Sequence, residues 1–211
     1  MLISNRQRKF EILSVLITAL GKFIFFDLLH LQFWFIMAIS LFWMVFVIIH
    51  YRKNPEIVNY WGFRKDGFWQ SLKTVVPVAL LVVMLFLIYG IYTEHLLLSW
   101  HIFPTLLLYP LWGIAQQYLM LALVAGNLAD MKDAKIPVIV IILLTSVLFS
   151  GVHYPNYALM GGTFILAMIY IQIYLKYRNL WVLGLFHGWL GAFFYFFVLS
   201  KDPWAVFVNS I

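Results

Sequence analysis

Four places in this 211-residue chain set polar side chains inside long apolar runs. Gln116 and Gln117 sit mid-run in Leu111-Trp-Gly-Ile-Ala-Gln-Gln-Tyr-Leu-Met-Leu121. His153 closes Phe149-Ser-Gly-Val-His153, and His187 lies in Leu185-Phe-His-Gly-Trp-Leu-Gly191. Lys22 and Asp27 share the first run. An imidazole can take or give a proton near neutrality, and a carboxamide can orient a water or a peptide carbonyl without ionising. In hydrocarbon an unpaired polar group costs on the order of several kcal/mol, so a function is sought where such groups gather. Two histidines on different helices beside a glutamine pair make His153, His187, Gln116 and Gln117 the candidate site. Neighbouring helical residues point about 100° apart, so one amide can line a cavity while the other braces an adjacent helix. Paired glutamines also serve simply as interhelical glue. Lys22 and Asp27, five apart, miss the three- or four-residue spacing of helical ion pairs, which favours snorkelling or a helix contact for them. His30, His50, His95 and His101 fall near run ends, where water reaches them, and receive no role.

The elements that must hold these residues follow from the composition. The chain is 64% hydrophobic and 10% charged, with a mean hydropathy of +0.94, which leaves too little polar surface for a soluble globule. Seven apolar stretches, 10–29, 31–50, 74–93, 103–126, 137–153, 159–177 and 180–199, are long enough for membrane helices and too continuous for barrel strands. The expectation is an all-α polytopic membrane protein: one bundle spanning residues 1–211, with no repeat and no soluble appendage. A signal peptide is the other reading of the first stretch. Its apolar character resumes beyond Lys22, which suits an uncleaved anchor better. No cysteine is present, which excludes disulfides, thiol nucleophiles and thiolate metal sites. Two histidines and two amides make a poor zinc set, so neither metal nor cofactor is expected. The net charge of +6 is read as membrane retention, not nucleic-acid binding.

The basic residues test the partition independently. Arg6, Arg8 and Lys9 precede the first stretch, and Arg52, Lys53, Arg64, Lys65 and Lys73 lie between the second and third. Lys132 and Lys135 follow the fourth, and Lys176 and Arg178 join the last two. Twelve of the fourteen thus fall on one side, which the positive-inside rule makes cytoplasmic. The chain is expected in the cytoplasmic membrane, with its N-terminus in the cytoplasm and its C-terminus outside. The loop 51–73 mixes Tyr60, Trp61, Phe63, Phe68 and Trp69 with basic residues, as an interfacial segment on anionic headgroups would, or an aromatic belt flanking the next helix.

Counting at 1.5 Å per residue puts Gln116 and His187 each about 10 Å from the basic side, but His153 about 24 Å away on a straight helix. A tilt, a kink or a shifted boundary has to close that gap.

At these residues the chain resembles the CPBP family, which comprises CAAX prenyl endopeptidases, bacteriocin-processing proteins and Abi-like proteins. That family shows E-E-x-x-x-R on one transmembrane helix, F-x-x-x-H on the next, and H-x-x-x-N or D on a later one. Phe149-x-x-x-His153 matches, followed by Tyr-Pro-Asn. Tyr177-Arg-Asn-Leu-Trp181 matches the turn before the last helix, and His187 matches the second histidine. The likeness covers residues 104–196. It implies a CAAX-protease-like core in the C-terminal half, with water activated at the glutamate and histidines attacking a peptide bond in or beside the membrane. Here Gln116-Gln117 replaces the glutamates, Leu121 the arginine and Gly191 the final asparagine. Glutamine accepts no proton, so a histidine would have to act as the base, with Gln116 orienting the water. Of the other acids, Asp27 lies near the far end, Glu94 outside, and Asp130 and Asp133 at the basic boundary.

The resemblance therefore implies a membrane protein that cleaves membrane-anchored peptides weakly, or a pseudoprotease that binds them as a recognition or scaffold protein. Membrane lipids and a membrane-anchored peptide are the expected partners, with no nucleic acid. A transporter is suggested by Pro110 beside the glutamines, without a repeat to support it. A haem carrier with His153 and His187 as axial ligands requires two depths that do not agree.

Overall fold

The computed structural model describes residues 3–131 and 133–208, so Lys132 lies outside the described residues. Each of the seven apolar stretches falls on a helix. Helix α1 (Asn5–Lys22) is capped by Ser4, whose hydroxyl accepts from the Gln7 amide at 3.2 Å, and it runs on into a π-helical segment, Phe23–Leu28. Then come α2 (Gln32–Lys53), the short α3 (Glu56–Tyr60) and α4 (Phe68–Tyr92). Helix α5 (Ile102–Gln117) continues through a second π-helical segment, Tyr118–Gly126, into α6 (Asn127–Ala129). Helices α7 (Val138–Gly151), α8 (Tyr157–Tyr177), α9 (Leu180–Phe197) and α10 (Pro203–Val208) complete the chain. Among the described residues there is no strand.

Five helices are long and apolar enough to cross a membrane: α2, α4, the continuous α5–α6 helix, α8 and α9. Helix α7 has only 14 residues, about 21 Å of rise, and the first helix is interrupted by Glu11, Lys22 and Asp27. Only 11% of the apolar window of α2 and 17% of that of α4 is buried, against 56% for α9. Helix α9 is thus central, and the outer helices present bare hydrocarbon, a surface that suits lipid and not water.

What sets α9 against α5 is glycine. A Cβ on Gly113 would lie 2.5 Å from the Gly184 carbonyl oxygen, one on Gly184 would lie 2.6 Å from Ile114 Cα, and one on Gly188 would strike the Pro110 backbone. The Gly184-x-x-x-Gly188 spacing lets the two backbones touch, as small residues do in membrane interfaces. Pro110, inside α5, has no N–H and frees the Leu106 carbonyl one turn earlier. The indole Nε1–H of Trp189 donates to that carbonyl at 3.0 Å, which locks the same crossing.

The two ends of the bundle are sorted by charge. At one end the N-terminal turn of α1, the 60s loop, α6 and the α8–α9 turn meet, bringing Arg8, Arg64, Asp130 and Arg178 together. At the other, His101 bonds Asp202 at 2.6 Å, the Leu97 amide donates to Phe196, and Lys22 Nζ donates to the Tyr154 carbonyl at 2.6 Å. Lys22 also meets Asp27 at 3.0 Å, contrary to the spacing expectation for an α-helix. The intervening segment is π-helical, and its wider turn brings residues five apart into register.

Candidate functional site

Gln116 lies one turn beyond Gly113 on α5, and His187 immediately precedes Gly188 on α9. The glycine crossing therefore delivers these side chains to each other. His187 Nε2–H donates to Gln116 Oε1 at 3.0 Å. The imidazole is 6% exposed, and its Nδ1 is buried with no partner among the described residues. A neutral ring whose Nε2 carries the proton keeps a lone pair on Nδ1, so the hydrogen bond to Gln116 fixes the tautomer that leaves Nδ1 able to accept.

His153 sits just past the end of α7. Its Nδ1–H donates to the Phe149 carbonyl at 2.7 Å, which leaves the lone pair on Nε2. The Phe149 ring packs against both imidazoles, its centroid 5.2 Å from each. Phe149, one turn earlier on α7, thus touches both rings, and the two histidines do not bond each other. Gln117 turns into the packed interior, 2% exposed. Of the four candidate residues, Gln116 and His187 are in direct contact, His153 is one ring away, and Gln117 is adjacent only through the backbone.

The motifs flanking the histidines have structural work of their own. Asn156 caps α8 by accepting from the Leu159 amide at 3.0 Å. Asn179 caps α9, accepting from Val182, and its Nδ2 donates to the carbonyls of Arg64 at 2.6 Å and Asp66 at 3.1 Å. Arg178, in the left-handed region at φ 50°, pairs with both Asp130 oxygens, the shorter contact being 2.8 Å. At Gly191, where the family pattern has asparagine, an added Cβ would lie 3.1 Å from the Tyr109 ring, so a larger side chain requires that ring to shift.

A second polar cluster went unread in the sequence. Glu11, 0% exposed, accepts from Asn127 Nδ2 at 2.6 Å and Gln7 Nε2 at 2.9 Å. Asn127, also 0% exposed, accepts in turn from Arg8 Nη1 at 3.2 Å. Arg8 donates to the Tyr60 hydroxyl and lies 3.7 Å from Asp130, to which Tyr60 donates at 2.7 Å. Burial first, and then the bond to Asp130, push the Tyr60 phenol up to about 12, so it remains a neutral donor. The available signal was the Gln7, Arg8, Glu11 spacing on one helical face, hidden among basic residues that read as a topology signal.

Chemically, the first cluster offers two imidazoles with free lone pairs and one amide placed to orient a substrate. None of its members bonds a carboxylate among the described residues. Nor does any group of three His, Asp or Glu side chains there converge as a metal ion would require. No family model, curated protein or solved structure matches the chain.

Proposed function

We propose that the chain is a seven-pass membrane protein of the CPBP type, with its basic end in the cytoplasm, that receives membrane-anchored peptides at Gln116, Gln117, His153 and His187. The single observation that carries this reading is the 3.0 Å His187–Gln116 contact, which leaves His187 Nδ1 unpartnered beside Phe149. The reaction such a site supports is slow hydrolysis. His187 takes a proton from water, and the resulting hydroxide adds to the peptide carbonyl carbon. A glutamine N–H meets the developing oxyanion. The amine then departs with the proton returned by His187, so one water is added across one C–N bond. Glutamine supplies no base, which places the rate below that of a glutamate site.

The lack of a carboxylate bonded to either imidazole favours a second reading, recognition of the peptide without cleavage. Reconstituted protein and a fluorogenic membrane-anchored peptide separate the two. On the enzymatic reading the wild type cleaves, His187→Ala abolishes cleavage, and Gln116→Glu with Gln117→Glu accelerates it by about tenfold or more. If only the double glutamate variant cleaves, the natural protein is a recognition protein on a protease-like fold. If neither cleaves and the wild type binds no peptide, the assignment fails.

A further inference from the structure

At the basic end, residues 61–68 form a loop held rigidly by the rest of the fold. Asn179 grips its Arg64 and Asp66 carbonyls, the Leu180 amide donates to the Gly62 carbonyl at 2.8 Å, and the Tyr174 hydroxyl donates to the Trp61 carbonyl at 3.0 Å. Gly62 and Gly67 take positive φ values of 101° and 71° and pass so close to the α8–α9 turn that no Cβ fits without displacing backbone. These constraints hold Arg64 and Lys65 beside Phe68 and Trp69 on α4 and Trp181 and Leu185 on α9. The six residues line an open groove of about 430 Å³. Its charges are both positive, and its remaining walls are aromatic or aliphatic. The acids Glu56 and Asp66 line the adjoining, more polar groove, which shares Arg64, Lys65 and Trp181 with this one.

Arg64 is poorly committed to its present partner. Its Nη2 meets Asp66 at 3.1 Å, but the Asp66 side chain is 81% exposed, and Arg64 Nε is buried without a partner. Lys65 has no ion pair among the described residues. Two cations at one end of an apolar trough, with exposed Trp69 and Trp181 at the level where α4 turns apolar, complement a molecule with an anionic head and a hydrocarbon tail. We infer that this groove is a binding site for one anionic phospholipid, its phosphate on Arg64 and Lys65 and its proximal acyl chain along Trp69, Trp181 and Leu185. The site is separate from the histidine cluster and does not depend on what that cluster does.

The test uses the full chain in neutral detergent, with native mass spectrometry of retained phosphatidylglycerol against phosphatidylcholine of identical chains. Arg64→Gln with Lys65→Gln is expected to lower phosphatidylglycerol retention by about tenfold or more and leave phosphatidylcholine unchanged. Arg6→Gln with Lys9→Gln removes the same charge from exposed positions of the N-terminal turn and is expected to change retention less than about twofold. Both pairs leave the backbone contacts of the 60s loop in place, so folding is preserved. Equal losses in the two double variants would reduce the effect to diffuse surface charge and overturn the site. So would unchanged retention in the Arg64/Lys65 variant, equal binding of phosphatidylcholine, or displacement of the lipid by millimolar inorganic phosphate.

Discussion

Two polar clusters lie inside this bundle, and they differ in how much of their hydrogen-bonding capacity the fold consumes. Around Glu11 and Asn127 almost everything is taken: both carboxylate oxygens of Glu11 are bonded, Asn127 donates and accepts, and Asp130 is gripped by Arg178 and Tyr60. Arg8 Nε is the one buried side-chain polar atom of that network without a partner. Around His187 the opposite holds. One nitrogen is anchored to Gln116, and the other is unpaired. A saturated network specifies where segments meet, because each member removed strands another. An unsaturated one keeps a lone pair unused, as the proposed peptide site requires. The same contrast explains why charges reside in the first cluster and neutral groups in the second: a buried charge is tolerated only with its partners present.

Breaking this contrast starts with the saturated side. Asn127→Ala removes the amide that joins Glu11 to Arg8 and is expected to cost about 3–5 kcal/mol of stability, since it strands a buried carboxylate. Unfolding in a mixed-detergent titration measures it. Glu11→Gln, which carries no charge to strand, should cost less. If the two variants cost the same, the network does not work through the charge of Glu11.

Next in size is Gly188→Ala, whose methyl would meet the Pro110 backbone and part α5 from α9. A stability loss of about 1–3 kcal/mol is expected. Peptide binding or processing should fall further than stability does, because the Gln116–His187 contact depends on that crossing. Retained function in this variant would show that the crossing does not build the site.

The smallest effect belongs to a pair that is satisfied but peripheral, Asp202 and His101. Burial raises the Asp202 carboxyl, but bonds from the Ala205 amide, His101 and the Trp204 amide outweigh it and hold the group below its ordinary value of 3.8. A depressed folded pKa stabilises above the ordinary value, and that contribution disappears as the pH falls through the folded one. Asp202→Asn should therefore lower stability at pH 7 by less than about 1 kcal/mol, and by progressively less as the pH falls below 3.8. A larger loss at neutral pH would place this end of the molecule in the same structural class as the Glu11 network.

The apolar helices were legible in the sequence because continuous hydropathy runs mark them residue by residue, and five of the seven stretches lie on helices long and apolar enough to cross a membrane. Gln116 and His187 were legible as a pair because a polar side chain in an apolar run is conspicuous. Glu11 was not, because an acid three residues past an arginine near a helix start looks like ordinary surface charge. The Lys22–Asp27 pair was misjudged for a related reason: spacing rules assume α-helical geometry, and the π-helical segment that realigns those residues has no clear signature in composition.

What the chain determined by itself was local: which stretches are apolar, where caps such as Asn156 and Asn179 start helices, and which residues could exchange protons. Each follows from the chemistry of a few neighbouring residues. Which side chains meet was decided only by tertiary structure, because it depends on how closely two backbones approach. Gly113, Gly184 and Gly188 permit backbone contact, Pro110 frees a carbonyl for Trp189, and Phe149 on α7 touches both imidazoles. The separation of Gln116, His153 and His187 is the sum of those approaches, and no run of adjacent residues encodes it.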